Sequence, residues 1–506
     1  MRDDLRPYTD RGNMQVRSMS RRRALHVMGA GAASIVGASA LAACWPFPEP
    51  SKTGGGTITL TVTPQTTVTA TTTMGASRPL VPYFLGYNNV PIHSPAWSDP
   101  NVMNAARQFM PGTLRYPGGT IGNYWDWQSG WFVRGQSLGA TTHTRYRLQD
   151  LQQAVQATGA LPIYVLNMLT SNLNTQLNML RTAKGMGLPV KYVELGNEFY
   201  LGSPNDYETA FPSGADYGRV ATQWAQAIHQ EFPDAKVAAV GASPGGNARQ
   251  NGWNQSMLPA LHGLDAITFH PYVPLQDGLV SQNNVSGSVT SLDSTIYGRW
   301  QQFAGQIQTL PSGMKAWLTE YNLVDNSSGN WSGPFQVFRN WIHGVVVAGM
   351  TLSYLEQNNV ELVCFFDMVG RTGNEVVFYD PQGQNDPLPQ YALTAAGWSL
   401  RLLGNTMHGM TSAQPISLSS PSSTVGGVAG WLFSNGTQRR AFIVNSSTEN
   451  ITWNVDQAFS PGKAQVMQLT GNPFRLVTGQ DSLTIKKATL ANQLVLPAYS
   501  VTQLML

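Results

Sequence analysis

Lys191-Tyr192-Val193-Glu194-Leu195-Gly196-Asn197-Glu198-Phe199-Tyr200 begins as a β-forming run and stops abruptly at Gly-Asn-Glu. A buried strand that ends this way delivers an ionisable group to the mouth of a sheet. Met314-Lys315-Ala316-Trp317-Leu318-Thr319-Glu320-Tyr321-Asn322 repeats the form far along the chain. Two strand-end carboxylates, remote in sequence, suggest one site assembled from two parts of a barrel.

Working outward, eight apolar strand candidates are evident. They are Tyr83–Tyr87, Thr113–Tyr116, Pro162–Asn167, Val190–Leu195, Lys236–Val240, Ala266–His270, Lys315–Glu320 and Glu361–Asp367. Between them, Leu148–Ala157, Ser171–Gly185, Asp216–Glu231, Trp300–Thr309 and Phe335–Gln357 show apolar spacings of three and four. Apolar strands alternating with such helices imply parallel strands covered on the outside. The count predicts a (β/α)₈ TIM barrel over residues 80–405, with Glu198 ending strand four and Glu320 ending strand seven. An open doubly wound sheet is the rival, but no Gly-rich phosphate loop follows the first strand. Gln390–Leu403 reads as the last helix, with Gly404 as its stop. Short strands between Gly, Asn, Ser and Pro turns then predict a β-sandwich over 406–506 that braces the barrel.

The chain has 506 residues, 42 % hydrophobic and 12 % charged, enough for large cores in more than one domain. Seven Arg and three Asp fall within residues 1–43, so the net charge of +3 leaves the remainder near neutral. That excludes strong attraction to nucleic acid. The fourteen Trp suit either core filling or stacking on sugar faces.

Ser20-Arg21-Arg22-Arg23-Ala24-Leu25-His26 precedes an uncharged run, Val27 to Ala43, too short and small-residue-rich for a membrane span. It resembles a twin-arginine export signal. Leu41-Ala42-Ala43-Cys44 resembles a bacterial lipobox, which implies lipidation at Cys44, a membrane anchor and an extracytoplasmic location. Residues 1–44 are thus expected to be an address. Residues 45–79 form a Pro-, Gly- and Thr-rich tether, with a strand at Thr57–Thr63 where apolar and polar residues alternate. The second cysteine, Cys364, lies in Leu362-Val363-Cys364-Phe365-Phe366 and is expected to be a buried, inert thiol. No disulfide, cysteine metal site or cofactor is expected.

Gly196-Asn197-Glu198 and Thr319-Glu320 resemble the signature of clan A retaining glycoside hydrolases. Leu114-Arg115-Tyr116-Pro117-Gly118-Gly119 is similar to the Arg-Pro-Gly-Gly element of α-L-arabinofuranosidases, and His270-Pro271-Tyr272 to the His-x-Tyr element after strand six. Heparanase-like β-glucuronidases are a second similar branch. The resemblance implies hydrolysis of an O-glycosidic bond in a polysaccharide or oligosaccharide by double displacement. Glu198 would be acid/base and Glu320 nucleophile, and Asn197 would bind the sugar 2-hydroxyl. Arg115 would hold Glu320 ionised, though pairing with Asp126 is an alternative. Tyr272 or His270 would orient Glu320. An acid that stays protonated near neutrality is expected at Glu198. Trp125 and Trp127, in the loop after strand two, are candidate sugar-stacking rings. Asp126, Asp265 and Glu194 are read as structural. A β-glucuronidase or xylosidase-like exo-enzyme, a transglycosylase and a non-hydrolytic sugar-binding lipoprotein are the competing readings.

Overall fold

The computed structural model describes residues 67–89, 94–133, 145–202, 206–275, 285–325, 337–370, 373–380, 388–420, 423–424 and 427–506. The export signal, Cys44 and the strand expected at 57–63 lie outside them.

Eight parallel strands close into a barrel. In chain order they are Leu85–Asn88, Thr113–Tyr116, Leu161–Val165, Tyr192–Glu194, Lys236–Val240, Ala266–Thr268, Lys315–Asp325 and Val360–Phe365. Neighbours pair in sequence order, and strand eight returns to strand one through Val363 opposite Leu85. Helices on the outside begin at identifiable caps. Asp99 caps Pro100–Phe109, Asn172 caps Leu173–Gly185 and Ser213 caps Gly214–Glu231, each accepting from backbone N–H groups of the first turn.

Side chains alternate across a strand, so every second residue points inward. The lower interior holds Ile163, Tyr192, Ala238, Ala266, Trp317, Leu362 and Cys364 as one apolar cluster. Above it stand Arg115 on strand two, Glu194 on strand four and Thr319 on strand seven, all fully buried. From Tyr192 to Glu194 and from Trp317 to Thr319 the interior thus changes from an oily plug to a polar platform within two residues. Cys364 belongs to the plug; burial pushes its thiol up to about 12, which makes it inert at ordinary pH.

The carboxyl-terminal strands form a second unit with its own core, including Ile416, Leu432, Ile443, Trp453, Leu496 and Leu504. Thr67–Met74 is part of it, contrary to its assignment to the tether. Thr71–Met74 runs antiparallel to Ser412–Ser420, and Thr67–Ala70 runs parallel to Asn450–Asn454. One strand thus links two parts of the sandwich, sitting between Ser412–Ser420 and Asn450–Asn454. Its Thr-rich sequence suits a strand. Ser412–Ser420 and Gln493–Leu496 are two more strands of the sandwich.

Gly404 does not stop the last helix, which runs Ala395–Met407. It is there for closeness: a Cβ at 404 would lie 2.2 Å from the Phe109 carbonyl oxygen. The sandwich leans on this helix and on Trp341–Tyr354. Gln503 Nε2 donates to Thr406 Oγ1 at 2.8 Å and Trp341 Nε1 to the Tyr499 carbonyl at 2.6 Å. Among the described residues no helix is long and apolar enough to cross a membrane.

Candidate active site

The chain leaves strand four at Glu194 and turns sharply. Gly196 has φ 88° and no room for a side chain, because a Cβ would meet the Phe199 ring at 2.1 Å. Glu198 follows at φ 50°, a left-handed conformation unfavourable for a residue with a Cβ. The surroundings enforce it. Asn123 clamps the turn, its Nδ2 donating to the Asn197 carbonyl at 2.7 Å and its Oδ1 accepting from the Asn197 N–H at 2.9 Å. Tyr217 OH donates to the Leu195 carbonyl at 2.8 Å.

Glu320 rises from strand seven to face it. A carboxylate oxygen of each lies within 4.8 Å of the other and of a His270 ring nitrogen. Both side chains are nearly buried; Glu198 lies four residues past strand four, and Glu320 stands within strand seven, which runs on to Asp325 instead of ending at Glu320 as expected.

Arg115 organises the floor. Its Nε and Nη2 grip Glu194 at 2.6 and 2.9 Å, a bidentate pair. Nη1 donates to Glu320 Oε1 at 2.6 Å and Asn88 Oδ1 at 3.0 Å, and Nη2 to Asn197 Oδ1 at 2.7 Å. Burial would lower the guanidinium pKa, but Glu194 and Glu320 outweigh it and raise it, so the cation is permanent. Glu194, not Asp126, is its structural partner; Asp126 instead accepts from Ser129 Oγ at 2.6 Å.

Tyr272 and His270 divide their work. Tyr272 OH donates to Glu320 Oε2 at 2.7 Å. His270 Nδ1 lies 2.7 Å from Glu198 Oε1 but 3.7 Å from Glu320 Oε2, so the imidazole orients Glu198 first. Its Nε2 lies 3.2 Å from Thr319 Oγ1, which donates to Glu194. Burial pushes the Glu198 carboxyl up, but His270, Tyr200 and Arg115 prevail and hold it below the usual range. Burial likewise lowers His270, yet Glu320 and Glu198 raise it overall. Both directions favour a charged pair of Glu198 and His270, whereas the sequence reading expected an acid that stays protonated near neutrality at Glu198.

Glu198, His270 and Glu320 have a spacing that a metal ion could use. All but one of their carboxylate oxygens are engaged: Arg115 and Tyr272 take the two oxygens of Glu320, and Tyr200 and His270 share Oε1 of Glu198. A guanidinium 2.6 Å from one carboxylate also opposes a second cation there. The donor set does not fit a metal.

The indole candidates are corrected. Trp125 is buried, with its N–H on the Tyr146 carbonyl at 2.9 Å and its ring edge-on to Tyr116. It fills the loop's own core. Trp127 donates to the Thr175 carbonyl at 3.1 Å and pins the loop to helix Leu173–Gly185. Both rings flank a small hairpin in which Trp125 and Asp126 pair with Phe132 and Trp131. Asn88, Asn123 and Tyr200 were missed. Asn88 ends strand one, and Asn123 and Tyr200 lie in the loops after strands two and four, which was the available signal.

No family model matches the chain, and no curated relative is found. Solved structures do match. An α-L-arabinofuranosidase from Thermotoga maritima superposes at TM-score 0.62 with 16 % identity, over 87 % of this chain and 99 % of that one. The family 51 arabinofuranosidase from Thermotoga petrophila gives 0.61 and 16 %, over 87 % and 100 %. A β-xylosidase from Caulobacter crescentus gives 0.51 and 13 %, over 87 % and 99 %. The barrel-plus-sandwich fold is thus that of these clan A structures along nearly their whole length.

Proposed function

We propose that the chain is a retaining glycoside hydrolase of α-L-arabinofuranosidase type, acting on a polysaccharide or oligosaccharide outside the cytoplasm. One observation carries the reading: two buried carboxylates on opposite barrel strands come within 4.8 Å. Retaining enzymes hold their carboxyl groups about 5–5.5 Å apart, whereas inverting ones need room for a water between them.

Glu320 attacks the anomeric carbon from below, with Arg115 and Tyr272 fixing its two oxygens. Glu198 protonates the departing oxygen. Glu198 and His270 titrate as one pair with a single proton. A bound sugar excludes water and disfavours the separated charges, so the proton passes to Glu198 when it is needed. Once Glu320 is esterified its charge is gone, and Glu198 acts as base toward water. The Asn197 amide nitrogen is buried with no partner among the described residues, so it is free to meet a sugar hydroxyl.

The arabinofuranosidase reading rests on Arg115-Tyr116-Pro117-Gly118-Gly119 and on the activity of the superposing enzymes. A xylosidase or β-glucuronidase exo-enzyme is the alternative. Aryl α-L-arabinofuranoside, β-D-xyloside and β-D-glucuronide assayed side by side separate the three. Glu320→Ala should cut turnover of the favoured glycoside by at least about 10⁴-fold, with azide restoring part of it as a glycosyl azide. Undiminished turnover in that variant would refute the reading. Export and anchoring rest on Ser20–His26 and Cys44. Cys44→Ala should release the protein from membranes and abolish labelling by a fatty-acid probe.

A further inference from the structure

Tyr200 has no place in the motifs that carry the functional reading, yet it touches the candidate acid/base. Its hydroxyl donates to Glu198 Oε1 at 2.9 Å, the oxygen that His270 Nδ1 also approaches at 2.7 Å. Oε2 makes no hydrogen bond among the described residues. The two oxygens of Glu198 are therefore unequal. One is saturated by neighbours, and the other is left for a substrate.

We infer that Tyr200 is a positioning residue: with His270 it occupies Oε1 of Glu198, so that Oε2 carries the proton to the leaving oxygen, and it sets the pH at which that proton is lost. The inference rests on the glycosidase reading above. A hydroxyl that donates to a carboxylate stabilises the charged form. Tyr200 thus makes Glu198 a stronger acid for the first step and keeps it ionised for the second. The φ of 50° at Glu198 and the clamp on Asn197 fix the two-residue span between carboxylate and phenol, so the contact is built into the turn.

The other groups around this pair leave its sign unchanged. Glu198 faces His270, Arg115 and Glu320. Tyr200 faces Ser243 at the end of strand five and Arg299 on helix Val285–Gln308. Ser243 Oγ donates to the His270 carbonyl at 2.9 Å and Arg299 Nη1 to the Pro244 carbonyl at 2.8 Å. Both are also held by backbone carbonyls, so each keeps an anchor when the phenol oxygen is removed, although Ser243 then loses its bond to that oxygen. Burial also holds the phenol well above its ordinary range, so it remains a donor throughout the working pH.

Tyr200→Phe tests the assignment. The basic limb of the kcat/KM profile on an aryl glycoside with a poor leaving group should move up, by as much as about one pH unit, because the proton shared by Glu198 and His270 is held longer once the phenol no longer stabilises the carboxylate. The acidic limb should stay in place. In a Glu198→Ala background the same change should have no further effect, since the residue acts through Glu198. Site-specific 3,5-difluorotyrosine at 200, a stronger donor, should move the basic limb down, and serves if the phenylalanine variant fails to fold. A uniform fall at every pH with an unmoved limb, or an equal fall in the Glu198→Ala background, overturns the inference. A readout independent of turnover is the infrared carboxylate band of Glu198, isolated by difference against Glu198→Gln. If no glycoside is turned over, the glycosidase reading fails. An upward shift of that band's titration in Tyr200→Phe still supports the contact's role, and an unmoved titration still refutes it.

Discussion

At the residue scale the site is a chain of compensated charges, and its pH behaviour follows. His270 is raised above its ordinary value in the folded protein, mainly by Glu320 and Glu198 acting against burial. A raised folded value means stability that is fully present below the unfolded pKa, about 6.5, and lost as pH rises through the folded one. Glu198 is depressed, so its contribution is present above about 4.5 and lost as pH falls through its folded value. Stability should therefore peak in the mildly acidic range. Urea unfolding across pH should show the alkaline decline in the wild type and a flatter one in His270→Gln. A steeper decline in that variant would contradict the assignment. Glu198, Glu320, Arg115 and Tyr272 could be singled out because each lies in a short motif at or near the expected end of a barrel strand, and the structure brings them together. Asn123 was not. Its role depends on a loop folding back over strand four, and nothing local in Gly122-Asn123-Tyr124 announces that. Trp125 and Trp127 misled for the same reason, because an indole reads alike whether it lines a cleft or fills the loop beside it.

At the element scale, strands were easier to read than helices. A barrel strand is buried on both faces and declares itself as a short apolar run, and all eight stand within a few residues of their expected places. Ala248–Met257, Ala-Arg-Gln-Asn-Gly-Trp-Asn-Gln-Ser-Met, has almost no apolar stripe and was missed; its Asn247 cap and the buried Trp253 hold it. Glycine tells two stories in such helices. Gly404 packs against the Phe109 backbone, so Gly404→Ala should destabilise by about 1–3 kcal/mol through overpacking despite a better helix propensity. At Gly252 a Cβ meets nothing within 4 Å, so Gly252→Ala should stabilise by about 0.5–1 kcal/mol. Thermal melting of the two variants should give shifts of opposite sign. Like signs would mean that the helix contacts, not propensity, were misjudged.

At the scale of the whole molecule, the two units share helices and are closed by a strand from the start of the described chain. Thr67–Met74 pairs on one half with Ser412–Ser420 and on the other with Asn450–Asn454. Trp453 Nε1 also donates to Thr72 Oγ1 at 2.7 Å, tying the strand to the sandwich core. Removing it would open an edge on each partner and uncover apolar surface around Ile416, Leu418 and Trp453. The sandwich in turn supports Trp341–Tyr354. His343 on that helix lies 2.8 Å, through Nε2, from Oδ1 of Asn322, two residues beyond Glu320 on strand seven. Damage at the distant edge should therefore reach the nucleophile. A chain starting at Thr67 keeps the whole crossing strand and serves as the reference. A chain starting at Gly75 should melt lower, associate during size-exclusion chromatography and lose turnover at temperatures where the longer one is stable. Equal melting temperatures for the two would show that the sandwich holds without its crossing strand, and that the barrel does not depend on it.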